Sequence, residues 1–488
     1  MASRQSKQAE SLAELDFGGF THTIDGRAES GDREFDVIDP SHGIVFARCP
    51  DATREQLDRA VAAARRAFYE WSSLSWQERG AYLRQFADAV RAHADELARL
   101  LTKEQGKPLA DAKWEIMLAA GALAQFSTKE VSGEVLRDTE QERVELHYRP
   151  MGVAGVISPW NMPIALMVLR MAPSLQTGST VVGKPSPYTP LSSLKLGELA
   201  RDALPPGVLN IVSGSDALGQ WMTEHPGIDK VSFTGSMRTG KRVMVSSAGT
   251  LKRITLELGG NDAAIVLNDV DPQAVAERLF WGAFYNSGQV CMAIKRLYVH
   301  EQVYEPMVNA LAKLARSVKM GDGLEADVRL GPLQNKMQYE LVKEILRDTH
   351  AQPGVRIVAG GAALDRPGYF IAPTIVADIN EGTRLVDEEQ FGPVLPVLKF
   401  SDVNDAVRRA NATRYGLGAS VWSSDLAKAA HVAGRIEAGT VWINTHLVSD
   451  IDTPFGGWKE SGIGRGNGDI GLKSCMESSV VRLSKAPI

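Results

Sequence analysis

The segment Val153-Ala154-Gly155-Val156-Ile157, which runs into Ser158-Pro159-Trp160-Asn161-Met162-Pro163, decides the fold. Its first five residues form a continuous run without polar alternation. Such a run predicts a strand buried on both faces, as in parallel sheets. Similar runs follow at 180–182, 208–212 and 230–233, and helix-length segments separate them. This alternation predicts an open, mostly parallel α/β sheet.

A second alternating series extends from about residue 263 to residue 444 and predicts a second α/β domain. Before the first series, residues 54–127 show helical periodicity and predict successive amphipathic helices. The segments 130–149 and 475–483 fit neither series and predict exposed extended elements. Because unpaired strand edges usually find partners, these two segments favour a homodimer or homotetramer.

The composition of the 488 residues excludes several classes of protein. A net charge of −5 with no basic stripe argues against nucleic acid as a partner. No apolar stretch is long enough to span a bilayer, and residues 1–17 lack the apolar core of a secretory signal and predict a loosely attached arm. Only three cysteines occur, without metal-ligand spacing, so we expect no disulfide framework, no metal and a cytoplasmic location.

Two short patterns in the chain carry candidate catalytic groups. The first is Asn286-Ser287-Gly288-Gln289-Val290-Cys291. A lone cysteine is more often a small buried apolar residue, but these neighbours are polar and Gly288 allows close backbone approach. The second is Glu257-Leu258-Gly259-Gly260 after an apolar run. A carboxylate there lies where α/β sheets bind ligands, although a solvated loop residue would give the same pattern.

Two further patterns follow predicted strands. Asn161, between two prolines, is a neutral donor that could stabilise an oxyanion, although the turn could also be only structural. Phe233-Thr234-Gly235-Ser236 is a glycine turn that could offer N–H groups to a phosphate. It is not the usual dinucleotide fingerprint GxGxxG, and taken alone it is typical of an ordinary turn.

Taken together, these patterns resemble the aldehyde dehydrogenase superfamily, in its NAD(P)-dependent, non-phosphorylating, hydrolytic form. The resemblance extends from about Gly26 to Arg482 and adds three motifs in the family's order. These motifs are Gly183-Lys184-Pro185-Ser186, Glu388-Glu389-Gln390-Phe391-Gly392-Pro393 and Pro454-Phe455-Gly456-Gly457. No single motif is decisive, but the ordered set is specific.

The resemblance implies two open α/β domains, a Rossmann-like cofactor domain and a catalytic domain, with a small β arm for oligomerisation. Residues 1–127 and 151–258 would bind nucleotide, and residues 259–474 would form the catalytic domain. The arm would be 128–150 with 475–488, which includes the two segments that fit neither series.

The resemblance also implies a mechanism. Cys291 would attack an aldehyde as a thiolate, for which we expect a lowered thiol pKa. Asn161 and the Cys291 N–H would hold the oxyanion, and Glu257 would activate the water that hydrolyses the thioester.

The cofactor would be NAD or NADP. The residues implied in its binding are Lys184, Ser186, Ser236, Gly235, Gly219, Trp160, Glu389 and Phe391. An acidic residue that repels NADP in many relatives is replaced here by Pro187. No arginine near Pro187 favours a 2′-phosphate, so the preference inclines to NAD.

The implied substrate pocket is mostly apolar, which predicts an uncharged aldehyde, aromatic or aliphatic. Its residues would be Met162, Leu166, Leu169, Tyr285, Val290, Met292 and Phe455, unless some are ordinary core residues. Two residues near the implied base differ from those common in the family: Arg170 replaces a lysine, and Gly466 replaces a glutamate. We expect Glu257 therefore to lose its proton through water, and a Gly466→Glu variant to test this route.

Two alternatives keep the fold and change the function. A CoA-acylating enzyme would pass the acyl group to CoA, but such relatives generally lack the catalytic glutamate, and Glu257 favours hydrolysis. A non-catalytic binding or structural protein would be favoured by loss of Cys291, Glu257 or Asn161, all of which are present.

Overall fold

A computed structural model describes residues 17–486, so the arm expected at 1–17 lies almost wholly outside the described residues. The first region begins with four short strands and four helices. They are β1 (His22–Ile24), β2 (Arg27–Glu29), β3 (Arg33–Asp39), β4 (Ile44–Asp51), α1 (Arg54–Ser73), α2 (Trp76–Ala92), α3 (Ala94–Gln105) and α4 (Leu109–Phe126). The predicted helices are confirmed, whereas the four strands before them were not foreseen.

The helices begin and end where local chemistry dictates. Thr53 and Ser75 each form a capping box at the start of α1 and α2. Gly106 ends α3 in the left-handed conformation, with φ of 94°. Pro108 then stands just before α4, so Gly106 and Pro108 separate the two helices.

The arm and the first α/β series follow. Their elements are β5 (Glu134–Asp138), β6 (Glu142–Pro150), β7 (Val153–Ile157), α5 (Pro163–Gln176), β8 (Thr180–Lys184), α6 (Leu191–Ala203), β9 (Leu209–Ile211), α7 (Asp216–Glu224), β10 (Lys230–Thr234), α8 (Met237–Ser247) and β11 (Arg253–Glu257). Strands β7, β8 and β10 are buried along their whole length, as the continuous apolar runs predict.

The second series and the C-terminus complete the chain. Their elements are β12 (Asp262–Val266), α9 (Pro272–Phe284), β13 (Ile294–His300), α10 (Tyr304–Ser317), α11 (Lys336–His350), β14 (Arg356–Ala359), β15 (Thr374–Ala377), α12 (Arg384–Asp387), β16 (Val394–Phe400), α13 (Val403–Asn411), β17 (Gly418–Trp422), α14 (Leu426–Ala433), β18 (Thr440–Ile443), β19 (Gly462–Ile463), α15 (Gly468–Lys473) and β20 (Met476–Ser484).

Two large sheets carry the fold. The first has the order β19-β11-β10-β7-β8-β9-β1-β2, and its five central strands are parallel. The second has the order β14-β15-β16-β13-β12-β17-β18 and is parallel except for β14. This mixed α/β architecture, with two parallel-rich sheets, confirms the predicted fold class.

Two smaller sheets stand apart from these. Strands β20, β6 and β5 form an antiparallel sheet, in which the C-terminal strand pairs with the segment before the first series. The two segments that fit neither series are therefore partners of each other. Strands β3 and β4 form a hairpin. Among the described helices, none is long and apolar enough to cross a membrane.

One strand pairing joins the two halves of the chain. Strand β19, which comes late in the chain, pairs antiparallel with β11 at the edge of the first sheet. Gly462 is thereby opposite Glu257, and Ile463 is opposite Leu256. The second half of the chain thus reaches across and covers the end of the strand that carries Glu257.

Candidate active site

The two large sheets meet at the turn between β11 and β12. Glu257 is the last residue of β11, and β12 begins at Asp262. Strand β12 pairs with β13, and Cys291 lies three residues before β13. A Cβ on Gly260 would stand 2.7 Å from the Cys291 carbonyl oxygen, so only glycine allows this approach. The turn therefore brings the candidate base and the candidate nucleophile to one place.

The loop before Cys291 is held in an unusual conformation. Asn286, Ser287 and Gly288 all have positive φ, of 51°, 55° and 74°. Non-glycine residues adopt such angles at a cost of about 1–3 kcal/mol each, and they persist only where surrounding contacts impose them. Here the Ser287 hydroxyl donates to the Gly331 carbonyl at 2.8 Å, and Gln289 Oε1 accepts from the Gln334 N–H at 2.8 Å.

Asn161 is joined to this nucleophile loop. It is buried, and its side-chain Nδ2 donates to the Gln289 carbonyl at 2.9 Å. Its own carbonyl accepts from Asn286 Nδ2 at 3.0 Å and from Lys107 Nζ at 2.9 Å. A primary amide has two N–H donors, so the contact with Gln289 leaves one for a ligand.

A buried ion pair that the sequence did not reveal supports Asn161. Lys107 pairs with Glu115, and both side chains are excluded from solvent. The other oxygen of Glu115 accepts from the N–H groups of Ile164 and Ala165, at 3.0 and 3.2 Å, in the first turn of α5. Glu115 therefore caps the helix that begins just after Asn161 and neutralises the lysine that holds the Asn161 carbonyl.

Glu257 is deeply buried, with 4% of its surface exposed. Arg170 Nη2 lies 3.4 Å from its Oε1, and neither oxygen accepts a hydrogen bond of normal geometry from the described residues. Burial raises the pKa of Glu257 to about 7, against the opposing charges of Arg170 and Arg465. A carboxyl with this pKa can both take and release a proton near neutral pH.

Arg170 and Gly466, the two residues near Glu257 that differ from the family, occupy adjoining space. A Cβ on Gly466 would collide with Arg170 Nη1, so the guanidinium fills the space that a side chain at 466 would occupy. Gly466 in turn pairs with Phe455 through two backbone hydrogen bonds of 2.8 Å. The Gly466→Glu variant thus displaces Arg170 as well as adding a carboxylate, and cannot test the proton route by itself.

The thiol does not have the lowered pKa that we expected. Burial raises the pKa of Cys291 to about 12, and the carboxylates Glu389, Asp262 and Glu257 add to this, while Lys295 opposes it. The expectation of a preformed thiolate is therefore wrong for the protein without ligands. The thiol must lose its proton to a base as it reacts.

The candidate cofactor residues lie in two groups, and the first is beside the double-glycine turn. Glu389 Oε1 accepts from the Gly260 N–H at 3.1 Å, and a Cβ on Gly259 would collide with Glu389 Oε2. Phe391 packs edge-on against Trp160, with ring centroids 5.3 Å apart. Residues from both halves of the chain thus meet beside Cys291.

The second group lies at the carboxyl ends of β8 and β10. Lys184 is buried, burial lowers its pKa to about 8, and among the described residues its ammonium donates only to the Pro185 carbonyl, at 3.1 Å. Two of its donors are therefore available to hydroxyl groups of a nucleotide. Gly219 faces Lys184, with 3.8 Å from its ideal Cβ to Lys184 Cε, and allows a ligand to approach.

Two predicted serines already have local partners. The Ser236 hydroxyl caps α8 by accepting from the Thr239 N–H at 3.3 Å, directly after Gly235. The Ser186 hydroxyl accepts from the Tyr188 N–H at 3.3 Å. Ser186 lies just after β8, and Ser236 opens α8, whose exposed N-terminus can receive a phosphate. These donors, with the free donors of Lys184, fit a dinucleotide.

The predicted pocket residues lie along one helix and three loops. Met162, Leu166 and Leu169 are half-buried at helical spacing, whereas most of α5 is fully buried. Tyr285 packs edge-on against Trp114 of α4, with centroids 6.1 Å apart, and Trp114 is itself 52% exposed. The sequence motifs did not single out Trp114. Met292 and Phe455 are half-buried, but Val290 is buried and only 3% exposed.

The geometry agrees with comparisons to known proteins. The model of the aldehyde dehydrogenase family matches residues 27–481. The chain belongs to the aldehyde dehydrogenase family. It is an oxidoreductase that oxidises an aldehyde with NAD or NADP.

Individual relatives cover nearly the whole chain. Phenylacetaldehyde dehydrogenase of Pseudomonas fluorescens is 40% identical over 91% of this chain and 91% of its own. The NADP-dependent succinate-semialdehyde dehydrogenase GabD of Escherichia coli is 38% identical over 91% and 92%. The structure of betaine aldehyde dehydrogenase from Staphylococcus aureus with NAD⁺ has a TM-score of 0.94 and 32% identity, and the match covers 99% of this chain and 98% of that one.

Replacing Arg170 by methionine is expected to shift the pH dependence of thioester hydrolysis. Without the guanidinium, the pKa of Glu257 rises further, so less base is ionised at neutral pH and the rate falls there. At a pH below its pKa, an acid that becomes tenfold weaker has an about tenfold smaller ionised fraction. The measurement is the deacylation rate from pH 5.5 to 9. The control Arg170→Lys retains a positive charge, so the midpoint of its pH–rate profile should stay closer to that of the wild type. An unchanged midpoint in Arg170→Met would contradict the contact between Arg170 and Glu257.

Proposed function

We propose that this aldehyde dehydrogenase acts on uncharged, apolar or aromatic aldehydes through a thioester on Cys291. The observation that carries the chemistry is the convergence of three groups. Cys291 and Glu257 approach the same double-glycine turn, and Asn161 is bonded to the loop that carries Cys291. Each comes from a different element, and each is buried or half-buried.

In this proposal, the reaction begins with loss of the thiol proton. Because the pKa of Cys291 is raised, the proton passes through water to the Glu257 carboxylate as the sulfur attacks the aldehyde carbon. The resulting oxyanion is stabilised by the free N–H of Asn161 Nδ2 and by the Cys291 N–H. One such donor contributes about 2.7–4 kcal/mol to transition-state stabilisation.

The bound NAD or NADP supplies a hydride acceptor, which leaves an acyl group on sulfur as a thioester. Glu257 first releases the thiol proton to solvent. It then takes a proton from a water that attacks the thioester carbon and returns that proton to the leaving sulfur, so the acid departs as the thiol reforms. A guanidinium has N–H donors and no acceptor, so Arg170 offers no site that could receive the proton that Glu257 releases. We propose that the proton of Glu257 therefore leaves through water.

Two substitutions test the roles assigned to the nucleophile and the base. Cys291→Ala should abolish aldehyde oxidation, because no sulfur remains to attack. Glu257→Gln should form the thioester only slowly, and should also slow its hydrolysis by about 10²–10⁴-fold, the usual contribution of a general base. Single-turnover and steady-state formation of reduced nicotinamide are measured with each cofactor. Oxidation by Cys291→Ala at the wild-type rate would contradict the assignment of the nucleophile.

The same experiment with added CoA addresses the acylating alternative. The family's acylating members transfer the acyl group to CoA, whereas Glu257 here is positioned to activate water. We expect the carboxylic acid as product and no CoA ester. Faster turnover with an acyl-CoA product would favour the alternative.

The pocket residues support the substrate class. The half-buried side chains of α5, with Met292, Phe455 and Tyr285, include no cation that could pair with a substrate carboxylate. Trp114 and Tyr285 form an aromatic pair at the exposed end. Burying an unpaired carboxylate costs several kcal/mol, whereas an aromatic ring gains free energy on such a surface.

A substrate panel tests this class. Burying the unpaired carboxylate of succinic semialdehyde costs several kcal/mol, and each 1.4 kcal/mol is a factor of ten. The kcat/KM for phenylacetaldehyde should therefore exceed that for succinic semialdehyde by at least about 100-fold. Trp114→Ala should lower kcat/KM for phenylacetaldehyde more than for a short aliphatic aldehyde. The control Tyr69→Ala removes an exposed aromatic side chain from α1 and should change kcat/KM for neither aldehyde. A preference for succinic semialdehyde would refute the proposed pocket.

The cofactor preference proposed is NAD over NADP. Asp216 and Asp51 lie close enough to Lys184 to favour its charged form, so the region around this lysine carries negative charge. A 2′-phosphate would meet this charge, whereas free ribose hydroxyls would not. Running the substrate panel with both cofactors tests the preference.

We also propose the domain division and a homo-oligomeric, cytoplasmic protein. Residues 1–127 and 151–258 form the cofactor domain, 259–474 the catalytic domain, and 128–150 with 475–488 the oligomerisation arm.

The arm's sheet has two edge strands, β5 and β20, and exposes apolar side chains from both. These are Val135, Leu136, Val480, Val481 and Leu483. Exposed strand edges with apolar faces favour pairing with a second copy. Three free cysteines suit a reducing compartment.

The oligomer is tested at the exposed face of β20. Val480→Glu places a charge on a side chain that is 59% exposed in the single chain, so it should leave folding intact and weaken association. Light scattering after size-exclusion chromatography should show a dimer or tetramer for the wild type and smaller species for the variant. Val245→Glu on α8, 76% exposed, is the control. A wild-type monomer would exclude the arm as an interface.

A further inference from the structure

A buried lysine lies directly behind the nucleophile and has no role in the mechanism above. Lys295 belongs to β13 and is only 2% exposed. Its Nζ donates to the carbonyls of Val290 and Cys291, at 2.9 and 2.7 Å. The third group near Nζ is Glu389 Oε1, at 3.5 Å. An ammonium has three N–H donors, so these three acceptors account for all of them.

The acceptors of Lys295 belong to two parts of the site. The two carbonyls fix the backbone of the nucleophile itself. The family resemblance implies that Glu389 binds the nicotinamide ribose, and Glu389 also accepts from the Gly260 N–H. A single cation therefore joins the nucleophile loop to the cofactor carboxylate. Removing a buried cation would leave its carboxylate partner uncompensated, which is costly.

A second buried carboxylate lies next to this cation. Asp262 is opposite Ile294 on the neighbouring strand, is 2% exposed, and accepts no hydrogen bond of normal geometry from the described residues. It interacts electrostatically with Lys295 and with Glu389. The ammonium thus has a second negative group beside it. Its charge remains compensated if Glu389 turns toward another partner.

We propose that Lys295 is a positioning residue that ties the Cys291 loop to Glu389, so that engagement of Glu389 by the cofactor alters the reactivity of the thiol. Without ligand, Glu389 and the nucleophile loop share the ammonium. When ribose hydroxyls engage Glu389, the ammonium acts more fully on the Cys291 loop, while Asp262 compensates its charge. This inference rests on the proposed roles of Cys291 and Glu389.

The local electrostatics support the direction of the effect. Among the charges that act on the Cys291 thiol, Lys295 lowers its pKa, whereas Glu389 and Asp262 raise it. Loss of Lys295 should therefore make the thiol harder to ionise. Loss of the Glu389 charge should make the Cys291 thiol easier to ionise, but only while Lys295 is present. Without Lys295, burial favours a protonated, neutral Glu389 whose replacement changes little.

Alkylation by iodoacetamide tests the proposal in the free protein. Cys49 and Cys475 are buried, so the rate reports Cys291. The rate is measured from pH 6 to 10 for wild type, Lys295→Met, Glu389→Gln and the double variant. Lys295→Met should react at least about tenfold more slowly at pH 8, as expected for a thiol that has become a tenfold weaker acid. Glu389→Gln should react faster in the wild-type background and have no effect in the Lys295→Met background.

The control is Lys103→Met, which also removes a buried lysine from a carboxylate, since Lys103 Nζ lies 2.6 Å from Asp39 Oδ2. It should leave the alkylation profile unchanged. Equal alkylation of wild type and Lys295→Met would overturn the proposal. An equal effect of Glu389→Gln in both backgrounds would also overturn it. If Lys295→Met does not fold, Glu389→Gln alone must still accelerate alkylation.

Adding NAD separates this proposal from the proposed function. In the wild type, saturating NAD should move the midpoint of the alkylation profile to lower pH, and in Lys295→Met it should not. A wild type that binds neither NAD nor NADP would count against the assigned cofactor site, while the comparison of free variants would still stand. Binding without any shift of the midpoint in the wild type would overturn the coupling.

Discussion

The close packing of the turn from Glu257 to Asp262 is the constraint on which the rest of the site depends. Two adjacent glycines let the backbone lie against Glu389 on one side and the Cys291 carbonyl on the other. Any side chain at either position would collide with these groups. The distance between base and nucleophile is therefore set by backbone contact between two sheets. Such contact is stiffer than one made by long side chains, because packed backbone has little freedom to relax.

Several buried charges near this turn are paired. Three such pairs are Lys107 with Glu115, Arg170 with Glu257, and Lys295 with Glu389. Pairs of this kind contribute little to net stability, since desolvation offsets most of their attraction. They do fix orientation, because moving one partner leaves the other uncompensated. The site is thus built from groups that favour a single arrangement.

Much of the fold could be predicted from the sequence. Strands such as Val153–Ile157 are buried on both faces, and their unbroken apolar runs express this directly. Strand β19 could not be predicted, because two residues carry no periodicity and their pairing with β11 depends on a contact between distant parts of the chain. The same holds for β1 and β2, which have three residues each, and for the hairpin of β3 and β4, most of whose residues are exposed or half-buried.

For the site, the motifs located the reacting groups but not the residues that support them. Nothing in the sequence joins Lys107 to Asn161 or Arg170 to Gly466, since these contacts arise only when the chain has folded. The pKa of Cys291 was predicted in the wrong direction because the motif shows its polar neighbours but not its burial. Conversely, the departures at 170 and 466 were visible in the sequence, and the structure explains why they occur together.

The pairing of β19 with β11 also affects the order in which the protein can fold during synthesis. The edge of the first sheet needs residues 462–463, and the arm strand β6 needs β20 at 476–484. Both are synthesised long after the strands that they pair with. The strand bearing Glu257 therefore stays uncovered on this edge until residues 462–463 have followed. This edge of the candidate site is completed only after both α/β series have been synthesised.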